Sequence, residues 1–241
     1  MISYTACKNS LNPIKLINYI KYKMKFAKEH PDYFYPDGLV VFTGPQGTGK
    51  TLSAVLYVEN LLKYYPKTII VTNIELTDFP FDNERVFPFK NSDDLSKYNN
   101  GENGVIFLID EIQLYFNSLE SKNINPEVMT QISQQRKQRK HIVATSQVFG
   151  RMAKPLREQF SSVLVCKNLF GFLQFNKLVD RDSIEDFDNG TTLKGKVLKR
   201  FFWIHNPKYY KKYNTYYLIK NNKFVSQEKK RSDIYGLSNY S

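Results

Sequence analysis

Cysteine is nearly absent from this sequence. Cys7 and Cys166 are the only two, and neither belongs to a CxxC or Cys/His group. A disulfide framework and a thiolate zinc site are therefore not expected, and the usage fits a reducing cytosol. Long apolar runs are missing as well. The longest, such as Val105–Ile109, have strand length, far short of the ~18–20 apolar residues a membrane helix needs. The first residues carry charge with no apolar stretch behind them, so a secretion signal is not expected. No internal repeat and no flexible linker divides the chain. Acidic residues are in deficit, with 23 Asp+Glu against 35 Lys+Arg, for a net charge of +12. Such an excess favours a polyanionic partner, because neutralising phosphates releases counterions.

What is present suits one α/β core with an appendage. The 241 residues are 41% hydrophobic, enough for a buried core but short for two large domains. Ile14–Lys28 has helical spacing and a basic face, within an N-terminal extension over 1–37. Gly38–Thr43, Thr68–Thr72, Gly104–Asp110, His141–Thr145 and Ser162–Cys166 read as buried strands. Between them fall helical stretches: Thr51–Lys63, a short one near Ser92–Tyr98, Pro126–Arg139 and Met152–Gln159. Alternating strands and helices predict a mostly parallel sheet flanked by helices over 38–170. The character changes after that. Phe172–Val179, Gly195–Ile204 and Tyr216–Val225 read as antiparallel strands added at the edge, a β-rich extension over 171–226. A polar tail, 227–241, follows.

Gly44-Pro45-Gln46-Gly47-Thr48-Gly49-Lys50-Thr51 satisfies GxxxxGK[ST] at every specified position, between an apolar strand and an amphipathic helix. The three glycines permit backbone angles and close approaches that a Cβ prevents. Backbone N–H groups can then face a β-phosphate at the N-terminus of the next helix. Lys50 is placed to bridge the β- and γ-phosphates, and the Thr51 hydroxyl to ligate Mg²⁺. This predicts an ATP site in a P-loop NTPase fold.

Val105–Ile109 runs into Asp110 and Glu111, a strand ending in two carboxylates. Alone, that pattern also describes a solvated acidic turn. Following a P-loop with one strand between, it reads as a Walker B motif. Asp110 would hold Mg²⁺ opposite Thr51, and Glu111 would activate the attacking water as general base. The strand His141–Thr145 ends in Ser146-Gln147. Gln147 is the expected γ-phosphate sensor, with Ser146 second or acting as a helix cap. The basic cluster Gln134–Lys140 offers Arg136 and Arg139, expected three apart on one helical face, as arginines for a neighbouring subunit's ATP. A solvated helix end is the alternative. Arg151 and Arg157 form a second pair.

In order, the chain thus presents a P-loop, Thr72-Asn73-Ile74, a Walker B strand, a basic segment, Thr145-Ser146-Gln147 and Pro155-Leu156-Arg157-Glu158. This resembles the zonula occludens toxin-like (Zot) ATPases of filamentous phages, which are similar to the HerA/FtsK superfamily of DNA-pumping motors. The resemblance covers about residues 38–170, with an echo at Tyr213–Tyr216. It implies a RecA/ASCE-like core and selects Arg136 as the arginine acting between subunits. Two departures stand out. The histidines that usually flank that arginine are Gln135 and Lys137 here, and the membrane helix into which phage members continue is missing from this sequence.

The expected function is an ATP-hydrolysing DNA translocase, a viral or mobile-element packaging motor working as a homo-oligomeric ring on double-stranded DNA. Its expected place is the host-cell cytoplasm, transiently at a procapsid with a portal or capsid component. Three other classes fit parts of the pattern. One is a P-loop kinase, although Glu75–Asn103 offers only Arg85 to a substrate lid. Another is a non-processive nucleic-acid ATPase such as a helicase loader. The last is a phage-type extrusion ATPase without its anchor. The acidic group Asp180, Asp182, Glu185, Asp186 and Asp188 reads as a solvated loop rather than a nuclease site. Tyr209, Tyr210, Tyr213, Tyr216 and Tyr217 interleave with lysines, which suits either base stacking or the packing of an edge hairpin.

Overall fold

The computed structural model describes residues 13–35, 38–79, 83–117, 126–184 and 195–214. Eight strands form one sheet in the order β3-β2-β4-β5-β1-β6-β7-β8. They span Leu39–Thr43 (β1), Ile69–Thr72 (β2), Val86–Pro88 (β3), Val105–Ile109 (β4), Lys140–Ser146 (β5), Phe160–Leu169 (β6), Leu173–Val179 (β7) and Val197–Ile204 (β8). The first six are parallel, and β7 and β8 are added antiparallel. The fold is that of a P-loop NTPase, with β5 inserted between the strand that enters the P-loop and the strand that carries Asp110.

The central strands are apolar without alternation because both faces are covered. In β1, Leu39 and Val41 enter one core layer, and Val40 and Phe42 the other. The second layer is roofed by α2, Lys50–Tyr64, through Ala54, Val55, Val58 and Leu62. The first is covered by α4, Pro126–Ser133, through Val128 and Ile132, and by Leu156 of α5, Lys154–Arg157. Leu95 of α3, Asp94–Lys97, completes that layer.

One expectation needs correction, and three features add to the sequence reading. The helix expected over Pro126–Arg139 ends at Ser133. Gln134–Arg139 forms tight turns instead, closed by Lys137 N–H on the Gln134 carbonyl and Arg139 N–H on the Arg136 carbonyl. Buried Gln135 and Lys140 pin the two ends of this reversal, and Arg139 takes a left-handed φ of 53° to enter β5. Arg136 and Arg139 therefore share no helical face. Strand β3 was not expected, because a three-residue edge strand ending in Pro88 has almost no pattern to read. The N-terminal helix forms as α1, Pro13–Glu29, yet it buries no residue. Its Ile14, Ile17, Ile20 and Met24 are exposed. The extension is fastened further on, where Phe34 fills the space left open by Gly104 and meets Tyr65 edge-on at 4.9 Å. Finally, the described part of the tyrosine–lysine segment, through Tyr213, packs as a strap, the second of its two readings, while Tyr216 and Tyr217 lie outside the described residues. It forms a 3₁₀ turn, Pro207–Lys211, and Lys212 then pairs with Glu59 of α2 at 2.8 Å. Tyr213 bridges to Leu76. The strand expected at Tyr216–Val225 lies outside the described residues, as do Glu185, Asp186 and Asp188.

Candidate nucleotide site

Register decides what meets at the carboxyl end of the sheet. Thr43 of β1 stands beside Ser146 of β5, and Ile109 of β4 beside Ala144. The P-loop, the Asp110-Glu111 turn and Gln147 therefore emerge from one edge of the sheet, side by side, where open α/β sheets bind ligands.

Gly44, Gly47 and Gly49 take φ of 147°, 77° and 77°, values that strain any residue with a Cβ. Lys50 is buried, and its Nζ donates to the Pro45 carbonyl at 3.1 Å, folding the ammonium back across the mouth of its own loop. Thr48 Oγ1 donates to the same carbonyl at 2.7 Å. Pro45, Gln46 and Gly47 are exposed, and Thr48 is half-buried.

Asp110 ties the two motifs together. Its Oδ1 accepts from Thr51 Oγ1 at 2.9 Å and from Thr145 Oγ1 at 2.5 Å. Burial pushes this carboxyl above the ordinary carboxylate range. The hydroxyls of Thr145 and Thr51 oppose the rise, the Glu111 charge adds to it, and Lys50 opposes it. A largely desolvated carboxylate beside a threonine hydroxyl is a set of hard oxygen donors. That set fits Mg²⁺, which completes its shell with phosphate oxygens and water.

Glu111 sits one residue on, in the left-handed region with φ 50°. Its backbone N–H donates to Thr145 Oγ1 at 2.9 Å. Its carboxylate accepts from Gln147 Nε2 at 3.1 Å and from Gln113 Nε2. Gln147 thus reaches the expected base directly. Ser146 Oγ instead donates to the Val148 carbonyl. Sequence reasoning missed Thr145, which links both acidic residues, and Gln113, the second amide on Glu111. It also missed Asn73, whose side chain binds the Asp110 backbone. A polar residue ending or just following an apolar strand was the available signal for Thr145 and Asn73.

The arginines are elsewhere. Arg136 lies against Gly38, just before β1, and the Arg139 carbonyl accepts the amide of Val105, the first residue of β4. The Arg139 guanidinium stacks over Tyr33 at 4.6 Å. Both occupy the amino end of the sheet, a strand's length from the P-loop.

No curated protein matches the chain. The family model for Zonular occludens toxin (Zot) matches residues 38–217. Among solved structures, the N-terminal domain of zonular occludens toxin from Neisseria meningitidis is similar, with a TM-score of 0.50 and 17% identity, covering 73% of this chain and 98% of that one. The DNA-packaging ATPase B204 from Sulfolobus turreted icosahedral virus aligns with a TM-score of 0.46 and 14% identity, covering 72% and 98%. The match to the family model spans most of the sequence and includes the P-loop, the Asp110-Glu111 strand and Gln147, so the chain belongs to the Zonular occludens toxin (Zot) family and has a P-loop ATPase fold.

Proposed function

We propose that this site hydrolyses ATP and that the protein, as a homo-oligomeric ring, uses the hydrolysis to move double-stranded DNA. The observation that carries the chemical half is the Thr51–Asp110 bond at 2.9 Å, with Glu111 and Gln147 next to it. It joins the phosphate loop to the acidic strand at one point. Gly44–Thr51 would cradle the phosphates with backbone N–H groups, and Lys50 would swing from Pro45 to the β- and γ-phosphates. Thr51 and Asp110 would hold Mg²⁺, which supplies charge neutralisation at those phosphates. Glu111 would take a proton from the attacking water, and Gln147 would orient the carboxylate and sense the γ-phosphate.

The DNA half rests on the net charge of +12 and on family membership. The ring rests on the arginines. Arg136 and Arg139 sit at the opposite end of the sheet from their own P-loop. Five residues of β1 lie between, roughly 17 Å at the rise of an extended strand. An arginine there can meet a γ-phosphate only on another subunit, with Arg136 first and Arg139 second. A viral or mobile-element packaging role, in the host cytoplasm beside a portal or capsid component, is the setting that suits such a motor.

Duplex DNA should stimulate ATP hydrolysis, and hydrolysis should displace a protein roadblock bound to that duplex. Hydrolysis without stimulation by any nucleic acid would point to a transferase. Stimulation without roadblock displacement would point to a loader.

A further inference from the structure

One buried polar network serves no part of the acidic site. Gln174, on β7, is completely buried. Its Nε2 donates to the Thr48 carbonyl at 2.9 Å and to Asn176 Oδ1 at 2.8 Å. Asn176 Nδ2 in turn donates to Ser53 Oγ on α2 at 3.0 Å. Gln174 Oε1 lies 3.2 Å from His205 Nε2, and His205 Nδ1 lies 2.6 Å from the Tyr210 hydroxyl. Both amide protons of Gln174 face acceptors, which fixes the orientation of the amide, and its Oε1 can only accept. His205 therefore carries its proton on Nε2, and its Nδ1 accepts from Tyr210. Trp203 stacks on the imidazole at 4.7 Å and holds it in place.

The bond to Thr48 has a directional consequence. The Thr48–Gly49 peptide is trans and planar, so its C=O and N–H point in opposite directions. Fixing the Thr48 carbonyl toward β7 turns the Gly49 N–H away from β7. Gly49 and Gln174 also fit each other sterically. A Cβ at position 49 would overlap Gln174 Oε1. The glycine is required here by the glutamine as well as by its own φ of 77°.

We infer that Gln174 is a positioning residue for phosphate binding: it presets the Thr48–Gly49 peptide so that the Gly49 N–H faces the β-phosphate before nucleotide arrives. The antiparallel addition β7–β8 is thereby a working part of the nucleotide site. This rests on the reading of Gly44–Thr51 as a phosphate loop. In the absence of Gln174 the peptide is free to rotate, and ordering it again is charged against binding.

The test is equilibrium ADP binding with thermal melting of the nucleotide-free protein. Gln174→Met keeps the volume and removes the amide, and should raise the ADP Kd about tenfold, the worth of one buried hydrogen bond. Gln174→Glu turns a donor into an acceptor facing the Thr48 carbonyl and should raise it further. His205→Phe, at a half-buried position, loosens Gln174 from behind and should raise the Kd a few-fold. A folded Gln174→Met protein that binds ADP like wild type overturns the inference, even if it melts lower, because a merely structural role moves only the melt. If Gln174→Met does not fold, an unchanged Kd in His205→Phe overturns it. Failure of the phosphate-loop reading is distinguishable: wild type and Lys50→Ala would then bind ADP equally weakly.

Discussion

The side-chain amide of Asn73 clasps the backbone of Asp110 at both polar atoms, donating to its carbonyl at 2.9 Å and accepting its N–H at 2.8 Å. Strand β2 pairs with β4 as far as Thr72 and Leu108. The carboxamide continues that ladder for one more step, where the backbones diverge. Asn73 Nδ2 also lies 3.2 Å from the Tyr115 hydroxyl. The clasp holds the turn in which Glu111 adopts a left-handed conformation, a state that costs about 1–2 kcal/mol for a residue with a side chain.

Asn73→Ala should leave two backbone groups of a partly buried turn without partners, costing roughly 1–3 kcal/mol of stability. Its larger effect should be on rate. Single-turnover hydrolysis should slow at least about tenfold, because a small misplacement of a general base is expensive. ADP affinity should change little, since the P-loop is untouched. Denaturant unfolding and rapid-quench kinetics measure the two. A variant with normal hydrolysis and lost ADP binding would contradict this account.

Lys50 and Glu111 should fail in different ways. Lys50→Ala should weaken nucleotide binding, since its buried ammonium lies on the Pro45 carbonyl of the loop itself. Glu111→Gln should bind ATP normally and lower kcat by roughly 10²–10⁴, the usual worth of a general base. The filter-bound ATP retained by each variant, read beside its hydrolysis rate, separates these outcomes. Normal hydrolysis by Glu111→Gln would remove Glu111 from the role of base.

The P-loop and the acidic pair were legible in the sequence because each is local: a fixed spacing between a recognisable strand and helix. Thr145 was harder to see, because a polar residue ending an apolar strand is a weak signal that a β-branched side chain in a strand easily masks. Gln174 was hidden more deeply. It meets Thr48 only because β6 turns back into β7 beside the loop, a pairing between distant parts of the chain. The helix expected through Arg139 follows from composition alone, which cannot show that Gln135 is buried and that its carbonyl receives the Lys140 amide. In α1 the helical period was real, but periodicity does not reveal whether anything packs against the stripe.

Lys140 gives a pH prediction. It is buried, and its Nζ donates to the Leu95 carbonyl at 2.7 Å. Burial lowers its pKa below the ordinary lysine value of 10.5. The folded state therefore holds this proton less tightly than the unfolded chain. The associated stability is present above pH 10.5 and is lost as pH falls through the lowered folded pKa. Relative to Lys140→Met, wild type should gain stability as pH rises from neutral toward that value. Urea unfolding of both proteins at neutral and alkaline pH checks the sign. A difference that shrinks with rising pH would show that the buried group is not the lysine ammonium.

The last prediction concerns the arginine between subunits. Arg136 lies beside Gly38 at the amino end of β1, whereas the phosphate loop begins at Gly44 beyond its carboxyl end. The turns over Gln134–Arg139 hold the arginine there, pinned by buried Gln135 and Lys140. No side-chain rotation brings its guanidinium to its own P-loop, since an arginine side chain spans far less than a strand of this length. In a neighbour packed amino end to carboxyl end, the same guanidinium can face the γ-phosphate and neutralise the charge that spreads over it during transfer, an effect typically worth roughly 10³–10⁵ in rate. Arg136→Ala should accordingly bind ATP like wild type and hydrolyse it poorly. Mixing it with Lys50→Ala, which has a dead site but an intact Arg136, should restore part of the activity, because some interfaces then combine a working P-loop with a working arginine. The rate should pass through a maximum as the mixing ratio varies and fall to the low level of each variant when either is alone. If mixed oligomers form and no ratio restores activity, Arg136 does not act across the interface. The same experiment with Arg139→Ala then decides whether the neighbouring arginine takes that part.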